Sequence, residues 1–145
     1  MKMNRKGFSL VELAIALGLV SVLVGIVAAG GGMITKTRVQ REAEAVDNLR
    51  LAAQNYLSSS NLTYAGISVA ALKTAGLLPA SFDPAASNAF GGDYAVVANS
   101  SDNTKVDITL AGIPAAASTE LVAAFRGKAE AASYDATTKV WKGTF

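Results

Sequence analysis

Lys6-Gly7-Phe8-Ser9-Leu10-Val11-Glu12, followed directly by the uncharged run LAIALGLVSVLVGIVAAGGGMI at residues 13–34, is the stretch that decides how this chain is built. The run is 22 residues long. As an α-helix it is long enough to cross the ~30 Å of hydrocarbon in a bilayer. Lys2, Arg5 and Lys6 precede it, and Lys36, Arg38 and Arg41 follow it. Positive charge is therefore nearly balanced across the run and does not by itself set an orientation.

Three readings of such a segment compete: a secretory signal, a single-pass anchor, and a helix that leaves the bilayer to enter a polymer. A secretory signal has an apolar core of about 7 to 15 residues and a small-residue cleavage site after it. Ala28-Ala29-Gly30 could supply that site, but the run exceeds the usual length. Glu12 argues against both simpler readings. A carboxylate at the edge of an unbroken apolar run costs about 2 to 3 kcal/mol if inserted deeply, and it serves neither a signal nor an anchor. It asks for a positive partner.

Residues 6–13 resemble the cleavage-and-methylation motif of type IV prepilins and the related pseudopilins. The likeness lies in a short basic leader ending in Gly7, an apolar Phe8 after it, a Glu five positions beyond Gly7, and a following hydrophobic run. The resemblance implies that a membrane-embedded prepilin peptidase cuts between Gly7 and Phe8 and methylates the new amine of Phe8. A residue without Cβ at Gly7 suits an extended backbone in a protease cleft. The resemblance further implies that Glu12 pairs with the N-terminal amine of a neighbouring subunit, an attraction little screened in hydrocarbon and able to set axial register. Glu12 reaching to the headgroups is the simpler alternative. The leader would stay in the cytoplasm and the rest of the chain would lie outside.

Within the run, Ala14, Gly18, Ser21, Gly25, Ala28 and Gly32 recur at spacings of four and three, which places six small residues along one helical face. Apolar helices gain little from the hydrophobic effect in lipid, so close backbone approach over small residues is how they associate. Leu17, Val20, Val24 and Val27 fall elsewhere on the helix. An Ala/Gly-rich composition could produce such a stripe without selection for packing. Gly30-Gly31-Gly32 is the weakest part of the helix, at about 1 kcal/mol per Gly relative to Ala, and offers a bend or a stretch that unwinds. Pilins often carry a Pro in this helix, whereas here none precedes Pro79.

Beyond the glycines, Val39, Ala43, Val46, Leu49, Ala53 and Tyr56 keep helical spacing to about residue 57. Arg38, Arg41, Glu42, Glu44, Asp47 and Arg50 read as the solvated sides, and Ser58 to Asn61 ends the helix. Residues 68–75 read as a short helix with Ser68 as N-cap and Gly76 past its end. Residues 83–92 are loop-like, and 94–98 is a candidate strand. Residues 105–110 alternate, with Val106, Ile108 and Leu110 toward a core and Lys105, Asp107 and Thr109 on the other side, after a turn at 99–103. Pro114 suits a helix start and the helix continues to Gly127. Residues 133–135 and 139–142 read as strands, with Trp141 as core.

The expected fold is α+β: a long N-terminal helix packed on a small antiparallel sheet with short extra helices, which resembles the pilin fold, particularly its type IVb branch. The expected organisation is a leader at 1–7, a helix at 8–57 whose 13–34 half is transmembrane and whose 35–57 half is amphipathic, and a globular head at 58–145. Many relatives close the C-terminal region with a disulfide, but this chain has no cysteine.

Composition narrows the function. Hydrophobic residues make up 51% and charged residues 17%, too apolar for a disordered chain. The formal charge is +2, but removing residues 1–7 leaves ten basic against eleven acidic side chains, so no phosphate-binding surface for nucleic acid stands out. Without His or Cys there is no thiolate chemistry, Cys/His zinc site or histidine-based triad. A metal-stabilised C-terminal loop, as in some pseudopilins, would need a denser carboxylate cluster than Asp102 and Asp107 offer. The expectation is a non-enzymatic structural subunit of a type IV pilus, without cofactor. It would be held in the inner membrane as a single-pass protein and then polymerised with copies of itself into an extracellular filament. Its partners would be prepilin peptidase and the pilus assembly machinery. A type II secretion pseudopilin, or a membrane-anchored extracellular binding domain, are the alternatives.

Overall fold

The computed structural model describes residues 10–58, 61–83 and 87–145; ahead of residue 35 it describes the side chain of Leu17 alone. The chain divides into two compact units, Met1–Thr35 and Lys36–Phe145. Helix α1 (Leu10–Ser58) has 49 residues, and the backbone of Gly30, Gly31 and Gly32 is helical within it. Intrinsic propensity therefore does not break the helix at the three glycines. Leu17 is 61% exposed. Among the described residues no helix is long and apolar enough to cross a membrane; apart from Leu17, the side chains of the apolar run lie outside them.

In the second unit, α1 buries Val39, Val46, Leu49 and Ala53, with Ala43 and Tyr56 half-buried, as the helical spacing predicts, and buries Ala52 in addition. One charge departs from the expected solvated sides. Glu42 is fully buried. It lies three residues after Val39 and four before Val46, so the helical period itself carries it onto the core face.

Helix α2 (Val69–Thr74) is capped at its start by Ser68, whose hydroxyl oxygen accepts the Ala71 N–H at 3.0 Å. At its end the Gly76 N–H reaches Lys73 O and the Leu77 N–H reaches Leu72 O, each at 3.0 Å. This reciprocal pair satisfies the last carbonyls and needs a left-handed residue, supplied by Gly76 at φ 69°.

Four antiparallel strands, β1 (Tyr94–Ala98), β2 (Val106–Leu110), β3 (Ala131–Asp135) and β4 (Val140–Thr144), form a sheet in the order β1-β2-β4-β3. Two hairpins are thus joined by helix α3 (Ala115–Phe125), and β4 inserts beside β2. Val106, Ile108 and Leu110 are buried on one face of β2, as the alternation predicts, and Trp141 sits fully buried opposite Leu110. The rings of Phe125 and Trp141 pack at 5.2 Å, joining α3 to the sheet. An N-terminal helix, a small four-stranded antiparallel sheet and short helices together make an α+β, pilin-like arrangement.

The last two strands differ from their sequence reading. β3 begins two residues earlier, because Ala131 and Ala132 pair with Thr144 and Gly143 although alanine has low strand propensity. β4 begins at Val140, since Lys139 adopts φ 55° in the turn, and extends through Gly143 to Thr144. Pro114 is the N-cap of α3 rather than its first helical residue, with ψ at 149°.

Candidate functional site

The sequence places its candidate site at the start of α1. Gly7 and Phe8 lie outside the described residues. Glu12 falls in the first turn of the described helical backbone, and Ala14, Gly18, Ser21, Gly25, Ala28 and Gly32 all fall within that helix; their side chains lie outside the described ones. At 3.6 residues per turn these six backbone positions occupy an arc of about 80°.

A set of polar side chains, whose partners the sequence did not show, holds the second unit together. Asn88 is buried in the loop before β1, where its side-chain oxygen accepts the N–H groups of Phe90 and Gly92 and its amide donates to Ala111 O at 2.8 Å. Gly92 packs so closely on the Ala111 carbonyl that a Cβ there would collide with it. This closed loop presents the Ala89 N–H to one oxygen of Glu42 at 2.6 Å, while Tyr94 donates its hydroxyl to the other at 2.9 Å. The buried carboxylate thus has a donor on each oxygen, which offsets its desolvation. Burial, and then the hydrogen bond and charge of Glu42, push the Tyr94 hydroxyl well above its ordinary pKa, with Arg41 opposing.

Asp107, on the other face of β2, is only 4% exposed. Its carboxylate accepts from Asn99 at 3.0 Å and from the Thr144 hydroxyl at 2.7 Å, and it pairs with the Lys142 ammonium at 2.7 Å. Burial alone would raise its pKa, but Lys142, Asn99 and Thr144 outweigh burial and hold it below the usual carboxylate range. Lys128, just past α3, reaches back to Asp47 of α1 at 2.8 Å, and Arg50 lies over the Phe145 ring at 6.0 Å.

These groups are consumed in holding elements of the second unit together. Among the described residues no group of three or more His, Cys, Asp or Glu side chains could hold a metal ion. Asp102 accepts from Thr104 and Asp107 from its own three donors, so the two carboxylates noted in the sequence serve separate local networks. The signal for Glu42 was present in the sequence as its place in the 39-42-46-49-53 spacing. Asp107 had no comparable signal, because its partners are set by strand register.

The model of the prokaryotic N-terminal methylation motif matches residues 2–28. The chain carries a type IV prepilin-like leader. In this prepilin-like chain the match spans Gly7, Phe8 and Glu12, five of the six stripe positions, and less than a fifth of the whole length. It bears on a structural precursor of the pilin-like or pseudopilin kind and is silent on the second unit. No curated protein and no solved structure matches the chain.

Proposed function

We propose that this chain is the structural subunit of a type IV pilus. A prepilin peptidase removes residues 1–7, methylates the amine of Phe8, and the assembly machinery polymerises the mature chain through α1. Residues 13–34 hold the precursor in the inner membrane with residues 1–7 in the cytoplasm and the folded head, residues 58–145, outside. The single observation that carries this reading is the methylation motif over residues 2–28, within which Glu12 is the only charged side chain between Gly7 and Lys36. A lone carboxylate beside an apolar run is costly unless it meets a cation, and cleavage creates one at Phe8 of a neighbouring copy. The strip from Ala14 to Gly32 lets helices approach once they leave lipid. The pilin-like second unit supports the same assignment, with type IVb as the branch the resemblance favours.

N-terminal mass spectrometry of sheared surface material tests the reading. A mature chain beginning at N-methylated Phe8 in extracellular filaments is the expected result. Methylated Phe8 found only in short periplasmic structures, dependent on a secretion system, would make the chain a pseudopilin instead. An intact leader, or a cut after Ala29, would make it an anchored or secreted domain and end the pilin reading.

A further inference from the structure

Three cations, Lys36, Arg38 and Arg41, stand just past the apolar run. Lys36, Arg38 and Arg41 are exposed, and none enters the ion pairs found among the described residues, which join Asp47, Arg50, Asp102, Lys105, Asp107, Lys128, Glu130 and Lys142. They stand two, four and seven residues beyond Ile34, the end of the apolar run. No acidic residue occurs between Leu13 and Arg41, and the first one after it, Glu42, is buried and fully engaged by Ala89 and Tyr94. Residues 35–41 thus carry cations and no acidic side chain, with the exposed Glu44 three residues beyond Arg41. In the orientation proposed above these charges remain on the non-cytoplasmic side, against the usual bias of Lys and Arg toward the cytoplasm.

The arrangement of the three indicates what they meet. At 100° per residue, Arg38 and Arg41 lie about 200° and 140° around the helix from Lys36. A neighbouring protein surface approaches from one side and would favour charges on one face. Headgroups surround a membrane-held helix, and a polar layer about 5 to 7 Å thick lies on each side of the hydrocarbon. Lys and Arg have long apolar stems that let the charged end move to phosphate level.

We propose that Lys36, Arg38 and Arg41 form a collar that binds the phosphates of anionic phospholipid headgroups and holds the unassembled chain at the membrane surface. This inference rests on the membrane orientation in the proposed function. It adds a step to assembly: the collar must give up its phosphates when the subunit leaves the bilayer, so lipid charge tunes the ease of extraction. Each basic residue near an anionic surface contributes about a fivefold preference, and salt screens it.

The test uses the full chain purified in a zwitterionic detergent and titrated separately with phosphatidylglycerol and phosphatidylcholine of the same acyl chains, with bound lipid counted by native mass spectrometry. Phosphatidylglycerol should be retained at least about tenfold more tightly, and 500 mM salt should reduce the preference. The triple variant K36Q/R38Q/R41Q should lose it, whereas R126Q/K139Q, which removes two exposed cations elsewhere, should keep it. Single variants Lys36→Gln and Arg38→Gln, each expected to lose part of the preference, keep the test decisive if the triple variant does not fold. Equal retention of the two lipids, or an unchanged preference in the triple variant, overturns the proposal. If the triple variant keeps its lipid preference but forms no filaments, the cations serve carboxylates on another copy, and the collar is likewise overturned. Failure of the pilus reading would show separately, as an unmethylated Phe8, because lipid retention is measured on the purified chain.

Discussion

Tyr94 donates its hydroxyl hydrogen to Glu42 across 2.9 Å, fastening the first residue of β1 to a turn of α1 that precedes it by 52 residues. The Ala89 N–H takes the second oxygen of the same carboxylate. Because Glu42 is fully buried, the pairing decides how α1 meets the sheet: no water can replace either donor.

Removing the carboxylate strands both donors. Glu42→Ala should destabilise the head by about 3 kcal/mol, and Tyr94→Phe by about 1 to 2 kcal/mol. The double variant should cost less than the sum, since each change already breaks the shared bond. Urea denaturation of the full chain in detergent, followed by fluorescence of the lone Trp141, measures all three; strictly additive losses would show that the two residues act independently.

Asp107 should shape the acid limb of stability. Its folded pKa lies below the unfolded value near 3.9, so the native state binds its proton less readily than the unfolded chain does. Its contribution is therefore fully present above about pH 4 and fades as pH falls through the folded value. Asp107→Asn should lower stability at pH 7 and flatten the loss below pH 4. Asp102 and Asp135 are also held below the usual range, so a residual acid slope should persist in the variant. Unfolding free energy at successive pH values reads both effects.

Gly143 occupies a place in β4 with no room for a side chain, because a Cβ there would come within 2.6 Å of the Trp141 ring and 2.9 Å of the Phe145 ring. Gly143→Ala should cost about 1 to 3 kcal/mol through overpacking. The expected signature is a shifted Trp141 emission together with a lower denaturation midpoint.

Glu12→Ala should leave leader removal at Gly7 and methylation of Phe8 intact while abolishing filaments. Mass spectrometry of the membrane-held chain, with electron microscopy of sheared material, separates the two steps. Normal filament yield would refute a register-setting role for Glu12.

Gly18→Leu and Gly25→Leu should impair filament yield more than Val20→Leu, because only the first two fill the strip of small residues with bulk. Equal yields across the three variants would mean that the strip reflects composition alone.

Much of this was legible before any fold was seen. The leader, Glu12 and the apolar run are local patterns, and local patterns need no tertiary information. The helical repeat from Val39 to Tyr56, the Ser68 cap with Gly76 at the other end of α2, and the alternation of β2 also depend on neighbours within one turn or one strand, and the structure places each as its spacing predicts. Two alanines and a glycine, by contrast, gave β3 and β4 too little intrinsic preference to show their true extents, which come from pairing Ala131 with Thr144 and Ala132 with Gly143.

By itself, then, the sequence determined the order of the elements and the prepilin-like leader, because both are written in charge, size and period over short distances. Only the tertiary structure decided that Glu42 lies inside rather than out, that Asp107 meets Lys142 and Thr144, and that β4 enters between β2 and β3. A buried charge is tolerable only when its donors arrive with the right geometry, and those donors come from residues tens of positions away, brought in by strand register and loop closure.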